Sequence, residues 1–256
     1  KGREESGLTV AEGPPSVVSA LEAGISVEYL MVQESFAASL GYGRIAEPLT
    51  HYDPRPSVYV IADSLYGRMS EVKSPQGVLC VLPFPFRHPE EQPKSPWAEP
   101  LYVYAFDIQD PGNAGTLIRA AAAAGATGVV FCGESADVFS PKCIRSSAGA
   151  SFRVNLREDA STDHISILRD LQSEGISVYK AVPRGGIAPW EADFSKGSAI
   201  VVGNEARGLS EEVLRGPGRT VTIPMPGDTE SLNVAIASGA ILYEAVRQRF
   251  LSKAPA

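Results

Sequence analysis

The stretch "SAIVVGNEARGLSEEVLRGPGRTVTIPMPGDTESLNVAIASGAILYEAVRQRF", residues 198–250, decides the fold. It opens on an apolar run, "SAIVVG" (198–203), with no polar alternation, the pattern of a strand covered on both faces. A second strand-like run, "RTVTIP" (219–224), leads through Pro226-Gly227 into a helical pattern over 231–250. There Ala, Ile, Leu, Tyr and Val recur at helical spacing, and Ala235, Ala237, Ser238, Gly239 and Ala240 permit close packing. Four more strand-like runs precede them: "LYVYAFD" (101–107), "GVVFC" (128–132), "FRVNL" (152–156) and "ISVYKAV" (176–182). Helical patterns fall between most of these, over 115–124, around 140–148 and over 162–174. Apolar strands alternating with helices predict an α/β fold, a parallel sheet covered by helices. Ligands of such sheets bind at the carboxyl ends of strands, here after residues 107, 132, 182, 203 and 224.

Upstream, Pro83-Phe84-Pro85-Phe86 and the Pro- and charge-rich run to Pro100 have no periodicity and read as a linker over 87–100. Residues 1–86 form a separate small α/β domain, with a helix over Pro14–Ala23 and strands in "ISVEYLMV" (25–32), "SVYVIADS" (57–64) and "QGVLCVLPF" (76–84). Residues 101–256 form the larger domain.

The 256 residues are ample for a buried core, and no apolar run reaches the roughly 18–20 residues of a membrane span. The chain opens Lys1-Gly2-Arg3 without Met or a signal-like apolar region, the look of a trimmed rather than a secreted protein. Cys80, Cys132 and Cys143 match no zinc spacing and sit in or beside apolar runs, as small buried hydrophobes in a reducing cytoplasm; no metal is expected. His51, His88 and His164 have no nucleophile motif beside them, which argues against a hydrolase of that kind. Gly41-Tyr42-Gly43-Arg44-Ile45-Ala46 fits a dinucleotide fingerprint only in letters, since no strand leads into it; it reads as a flexible turn. "GNEARGLS" (203–210) has the outline of a phosphate-binding loop, but Leu209 stands where its lysine belongs.

Three loops carry chemistry. In "DIQDPGNAGTLIRAAAAAG" (107–125), Asp110-Pro111-Gly112-Asn113 is a turn signal after a strand, and Arg119 precedes five alanines that allow another chain to approach. In "VVGNEARGLS", Gly203 and Gly208 bracket Asn204-Glu205 at a strand end. In the third, Asp228 or Ser231 caps the last helix and Asn233 sits in its first turn.

In this order, Asn113-x-Gly115-Thr116-x-x-Arg119, Gly203-x-Glu205-x-x-Gly208-Leu209, and Ile223-Pro224-Met225 with Ser231-Leu232-Asn233-Val234 resemble the three motifs of the SpoU/TrmH family of RNA ribose 2'-O-methyltransferases, in the SPOUT superfamily. "RSSAGASFRV" (145–154) is similar to a further family segment, and Ala235 departs from the Ser of many members. "GLTVAEGPPSVVSALEAG" with "PQGVLCVL" resembles the ribosomal-protein-like substrate-binding domain of rRNA-modifying members.

The resemblance implies a C-terminal deep trefoil knot, S-adenosylmethionine bound within it, and a homodimer with each active site at the interface. It implies catalytic roles for Arg119, Asn113, Glu205, Ser231 and Asn233. The cofactor would be held by Gly203, Glu205, Gly208, Ile223, Met225, Leu232 and Asn233. A guanidinium is a poor base, so Arg119 is expected to orient the hydroxyl or a phosphate and stabilise developing alkoxide. The first domain favours large-subunit (23S) rRNA. The alternatives are a tRNA 2'-O-methyltransferase, a non-catalytic RNA- or ribosome-binding protein that keeps the fold, and a nicotinamide-dependent oxidoreductase resting on the glycine fingerprint.

The net charge is −7, with 8 basic and 12 acidic residues before Ala98 and 15 and 18 after it. RNA contacts must therefore come from local groups: Arg119, Lys142, Arg145 and Arg207 first, with Arg3, Arg44 and Arg153 as further candidates. Only a few phosphate contacts are then made, and the logarithm of RNA affinity should fall shallowly with the logarithm of salt in a filter-binding titration. A steep slope would contradict this.

Overall fold

A computed structural model describes residues 2–70, 72–86 and 92–253, in two compact units. Residues 87–91 of the expected linker, His88 among them, lie outside the described residues.

The first unit holds Lys1–Gln92 and, from further along the chain, Phe139–Arg153. It begins with α1 (Gly2–Ser6), β1 (Leu8–Glu12) and α2 (Pro14–Glu22), followed by β2 (Tyr29–Gln33), α3 (Glu34–Ala37) and α4 (Gly43–Thr50). β3 (Ser57–Ile61), α5 (Asp63–Met69) and β4 (Val78–Pro83) complete it. The sheet order is β1-β4-β2-β3, with β2 and β3 parallel and β4 antiparallel to both β1 and β2. α2 and α4 bury Val17, Leu21 and Ile45 with Leu30, Val32 and Cys80 of the strands. The glycine fingerprint at 41–46 is helical, a 3₁₀ turn at Leu40–Tyr42 running into α4, rather than a flexible turn.

The second unit, Pro93–Val138 and Val154–Ala256, is the α/β sheet. Along the chain come β5 (Leu101–Phe106), α6 (Pro111–Ala123), β6 (Gly128–Cys132), then α7 (Pro141–Ser146) in the excursion that belongs to the first unit. β7 (Leu156–Asp159), α8 (His164–Ser173), β8 (Ser177–Ala181), β9 (Ser198–Val202), α9 (Glu211–Arg215), β10 (Arg219–Val221) and α10 (Val234–Lys253) follow. All six strands are parallel, in the order β10-β8-β9-β5-β6-β7. The strand order reverses between β5 and β9, which lie side by side although far apart in sequence. All five residues of β9 are buried, as its unbroken apolar run requires.

Three local expectations are corrected. "FRVNL" is not a strand throughout. Ala148 and Gly149 take left-handed φ values of 51° and 84°, Ala150–Phe152 is a 3₁₀ turn, and β7 starts only at Leu156. The apolar alternation misled because Phe152 packs with Ile144 in the core of the first unit. Asp110–Asn113 is not a free turn but the start of α6: Asp110 caps it by accepting from the Gly112 N–H (3.1 Å), with Pro111 in the first turn. Asn233, not Asp228 or Ser231, caps α10, its Oδ1 accepting from the N–H groups of Ala235 (2.9 Å) and Ile236 (3.3 Å).

Cys80, Cys132 and Cys143 are free and buried, and burial pushes the Cys80 and Cys132 thiols up to about 12. No described helix is long and apolar enough to cross a membrane.

Arg249 anchors α10. Only 2% exposed, it donates from Nε to the Phe194 carbonyl (2.9 Å), from Nη1 to Glu99, and from Nη2 to Pro100 and Lys196 (2.9 Å each). These carbonyls lie at the entrances to β5 and β9, so one side chain satisfies groups the sheet leaves open. Arg249→Met should leave several buried carbonyls unpaired and cost about 3 kcal/mol. Urea unfolding of the whole chain checks this; an unchanged midpoint would show the anchor to be dispensable.

Candidate active site

The reversal between β5 and β9 makes a crevice at their carboxyl ends, where loops diverge to either side. The β9 loop crosses it first. Asn204, 8% exposed, donates from Nδ2 to the Asp107 carbonyl at the end of β5 (2.9 Å). Its Oδ1 accepts from the N–H groups of Ala206 (3.0 Å) and Arg207 (3.1 Å), and its carbonyl accepts from the Gly208 N–H (2.8 Å). Residues 204–208 are thereby closed into a rigid loop. Gly203 is obligatory there: a Cβ would stand 2.5 Å from the Gly208 carbonyl carbon and oxygen and 2.6 Å from Leu209 N.

Glu205 then reaches back across the crevice. Its Oε2 accepts from the Gln109 N–H (3.2 Å), and its Oε1 from the Asp110 N–H (3.1 Å) and from Asn113 Nδ2 (3.0 Å). Asn113 Oδ1 in turn accepts from Asn233 Nδ2 (2.8 Å), so one chain of hydrogen bonds joins the ends of β5 and β9 to the start of α10. Withdrawal of water raises the Glu205 pKa, but the bonds from Asn113 and from the Asp110 and Gln109 backbone outweigh it and hold the carboxyl below its ordinary range.

These loops wall a cavity of about 880 Å³, a volume suited to a cofactor-sized molecule. Of the expected site residues, Asn113, Gly203, Glu205, Arg207, Gly208, Ile223, Met225, Ser231, Leu232 and Asn233 line it. Sequence reading missed Arg184 and its neighbours after β8, Leu214 of α9, and Ile241, one to two turns inside α10. The strand-end rule pointed to the loop after residue 182, but nothing in its residue types marked Arg184. It also missed Lys180, a fully buried cation whose Nζ donates to the carbonyls of Val213 (3.2 Å), Leu214 (2.9 Å) and Gly216 (2.8 Å). The end of α9 receives a charge that complements its dipole, and burial lowers the pKa of that lysine.

Three expected residues are elsewhere. Arg119 is exposed on α6 and does not line the cavity of its own chain. Lys142 and Arg145 lie on α7, in the first unit, and Arg145 turns Nη1 into a buried position.

Residues 100–243, more than half of the chain, match the SpoU rRNA Methylase family. The chain belongs to this family. Residues 1–80 match the MRM3-like substrate binding domain. Among relatives, the chain is 30% identical to the 23S rRNA (guanosine(2553)-2'-O)-methyltransferase RlmP of Bacillus subtilis, over 95% of this chain and 90% of that protein. It is 34% identical to a Synechocystis protein named as an uncharacterized tRNA/rRNA methyltransferase, over 77% of this chain and 70% of that one. Among solved structures it resembles the SpoU methyltransferase AviRb of Streptomyces viridochromogenes in complex with AdoMet, with a TM-score of 0.80, 29% identity, and coverage of 97% of this chain and 93% of that one.

In this SpoU member the lowered Glu205 pKa has a pH consequence. A carboxyl depressed in the folded state stabilises it above the unfolded pKa, and that contribution is lost as pH falls through the folded value. Carbon-detected NMR should show Glu205 titrating below the usual glutamate range, and loops 108–113 and 204–208 loosening as it protonates. Glu205→Gln should remove this acid limb; an unchanged limb in the variant would assign it to another group.

Proposed function

We propose that this chain transfers a methyl group from S-adenosylmethionine to a ribose 2'-hydroxyl of 23S rRNA. The observation that carries the reading is the linked set Asn113–Glu205–Asn233 at the rim of a cavity whose floor only glycine at 203 permits. The lining fits the cofactor. Ile223, Met225 and Leu232 offer an apolar surface to an adenine, and the close backbone approach at Gly203 and Gly208 leaves room and N–H groups for the remainder. S-adenosylmethionine, when bound, supplies a methyl already activated on a sulfonium, which leaves the protein alignment and the management of one proton.

Glu205 is assigned to alignment. Three donors occupy its oxygens and its lowered pKa makes it a weak base, so its work is to hold Asn113 and the 109–110 backbone in register. Asn233 and Ser231 are assigned to the cavity mouth, where the RNA ribose would meet them. Arg119 is assigned to the hydroxyl, orienting it and stabilising the developing alkoxide.

Because Arg119 does not line its own chain's cavity, we infer that a second copy supplies it. α6 and α10 pack closely: a Cβ at Gly239 would stand 3.8 Å from the Ala120 side chain. Of these neighbouring helices, α6 exposes Arg119 and α10 exposes Ile236, Tyr243 and Phe250, 60%, 55% and 64% exposed, apolar side chains suited to a homodimer. The trefoil threading of residues 198–250, an RNA-binding domain at 1–86 and a catalytic domain within 101–256 apart from the 139–153 excursion, RNA contacts from Arg119, Lys142, Arg145 and Arg207, and action in the cytoplasm belong to the same reading.

The test is incubation with methyl-labelled S-adenosylmethionine and, separately, unmodified 23S rRNA and tRNA. Label should enter rRNA at one alkali-stable ribose. Arg119→Ala should abolish transfer while cofactor binding, measured by calorimetry, persists. Arg119→Ala mixed with a cofactor-blind Gly203→Val chain should recover about a quarter of wild-type activity if each site joins two chains. Near-normal turnover of Arg119→Ala alone would remove this residue from the mechanism.

A further inference from the structure

Asp107 is a non-glycine residue with φ of 57°, at the point where β5 ends and the crevice begins. Left-handed backbone at such a residue costs energy that its surroundings must offset, and aspartate and asparagine tolerate it best. Here the polar groups of Asp107 tie it to two other segments, the loop after β6 and the loop after β9. Its N–H donates to the Cys132 carbonyl (3.1 Å), its carbonyl accepts from Asn204 Nδ2 (2.9 Å), and its Oδ1 accepts from the Glu134 N–H (2.9 Å).

The left-handed turn has a direct geometric result. It redirects the chain so that the N–H groups of Gln109 and Asp110 face the Glu205 carboxylate, while the Asp107 carbonyl faces Asn204. Extended backbone at 107 would carry β5 onward and separate these partners. The carboxylate holds the turn from the other side. Gly133 has no room for a side chain because a Cβ would stand 2.4 Å from Asp107 Oδ1, so the 133–135 loop closes tightly on it. That loop is tied back in its turn: Ser135 Oγ donates to the Cys132 carbonyl (2.8 Å) and accepts from the Ile108 N–H (3.1 Å).

We propose that Asp107 is a positioning residue for methyl transfer, its left-handed backbone and its carboxylate together setting the register of Asn204, Glu205 and, through Asn113, Asn233. Asp107 does not line the cavity; it would act through the 203–209 loop that does. The kinetic part of this proposal rests on the methyl-transfer reading above, whereas the structural part does not.

The experiment compares Asp107→Asn, Asp107→Gly and Asp107→Ala in the full chain. Asn keeps both the tolerance for left-handed φ and an oxygen acceptor, Gly keeps only the φ, and Ala keeps neither. Hydrogen exchange, followed well below the unfolding transition, should quicken at least about tenfold in 108–113 and 204–208 for Asp107→Ala, less for Asp107→Gly, and hardly for Asp107→Asn. Exchange within β5 and β9 should not change. In the transfer assay, kcat for Asp107→Ala should fall about tenfold or more with the KM for RNA unchanged, and Asp107→Asn should restore it. Equal exchange in all three variants, or acceleration spread over the whole sheet, would overturn the proposal and leave Asp107 an ordinary stabilising residue. A wild-type chain that transfers no methyl would refute the function reading alone, since the exchange measurement decides the positioning role without it.

Discussion

A single carboxylate ties the catalytic half together. β5 and β9 are separated by 91 residues of chain between Phe106 and Ser198, yet they pair in parallel, so both carboxyl ends open on the same side. Parallel pairing supplies no hydrogen bonds beyond the last ladder residue, and the diverging loops would leave N–H groups of 109 and 110 unpartnered. Glu205 satisfies both and reaches Asn113 as well. An ionised acceptor makes each of these bonds stronger than a neutral one would, which explains why an acid rather than an amide or alcohol stands there. The same bonds that lower its pKa are those that order the site.

Much of this was legible from residue types because the sheet obeys simple rules. The unbroken apolar run of β9 announces burial on both faces, and the glycines at 203 and 208 announce a close approach at its end. What stayed hidden depends on partners distant in sequence. Phe152 looks like one member of an alternating strand, but its side chain belongs to the core of the first unit, built mostly on residues 70 or more positions earlier. Arg119 is marked by its motif, but that it is exposed on α6 depends on how that helix packs. Lys180 sits inside a strand pattern where a lysine argues for a solvent face; the three carbonyls at the end of α9 that receive it lie more than 30 positions away.

Those buried cations follow one physical rule. Lys180 and Arg249 have no carboxylate among their hydrogen-bond partners described above; each is held by backbone carbonyls at the end of a helix or the entrance of strands. A full charge in low dielectric is costly, but partial negative charge on convergent carbonyls offsets it, and the carbonyls gain donors they otherwise lack. The chain thus uses cations as connectors where secondary structure runs out of its own partners. Lys180 fixes α9, and α9 presents Leu214 to the cavity, so the connector also shapes the site.

The acidic balance of the chain acquires a reason in this light. Several cations are consumed internally: Lys180 and Arg249 by carbonyls, Arg153 by Ser19 (2.9 Å) and Glu22 (2.5 Å) in the first unit. Among the described residues, Arg184 and Arg207 remain at the cavity, and Arg119 is exposed on α6. An enzyme that bound RNA by bulk charge would hold every duplex it met with similar strength. A chain with a small number of placed guanidiniums, on an otherwise acidic body, gains little from nonspecific phosphate contact and must match shape to bind at all. For the proposed transfer to one ribose among thousands, that is the more selective arrangement.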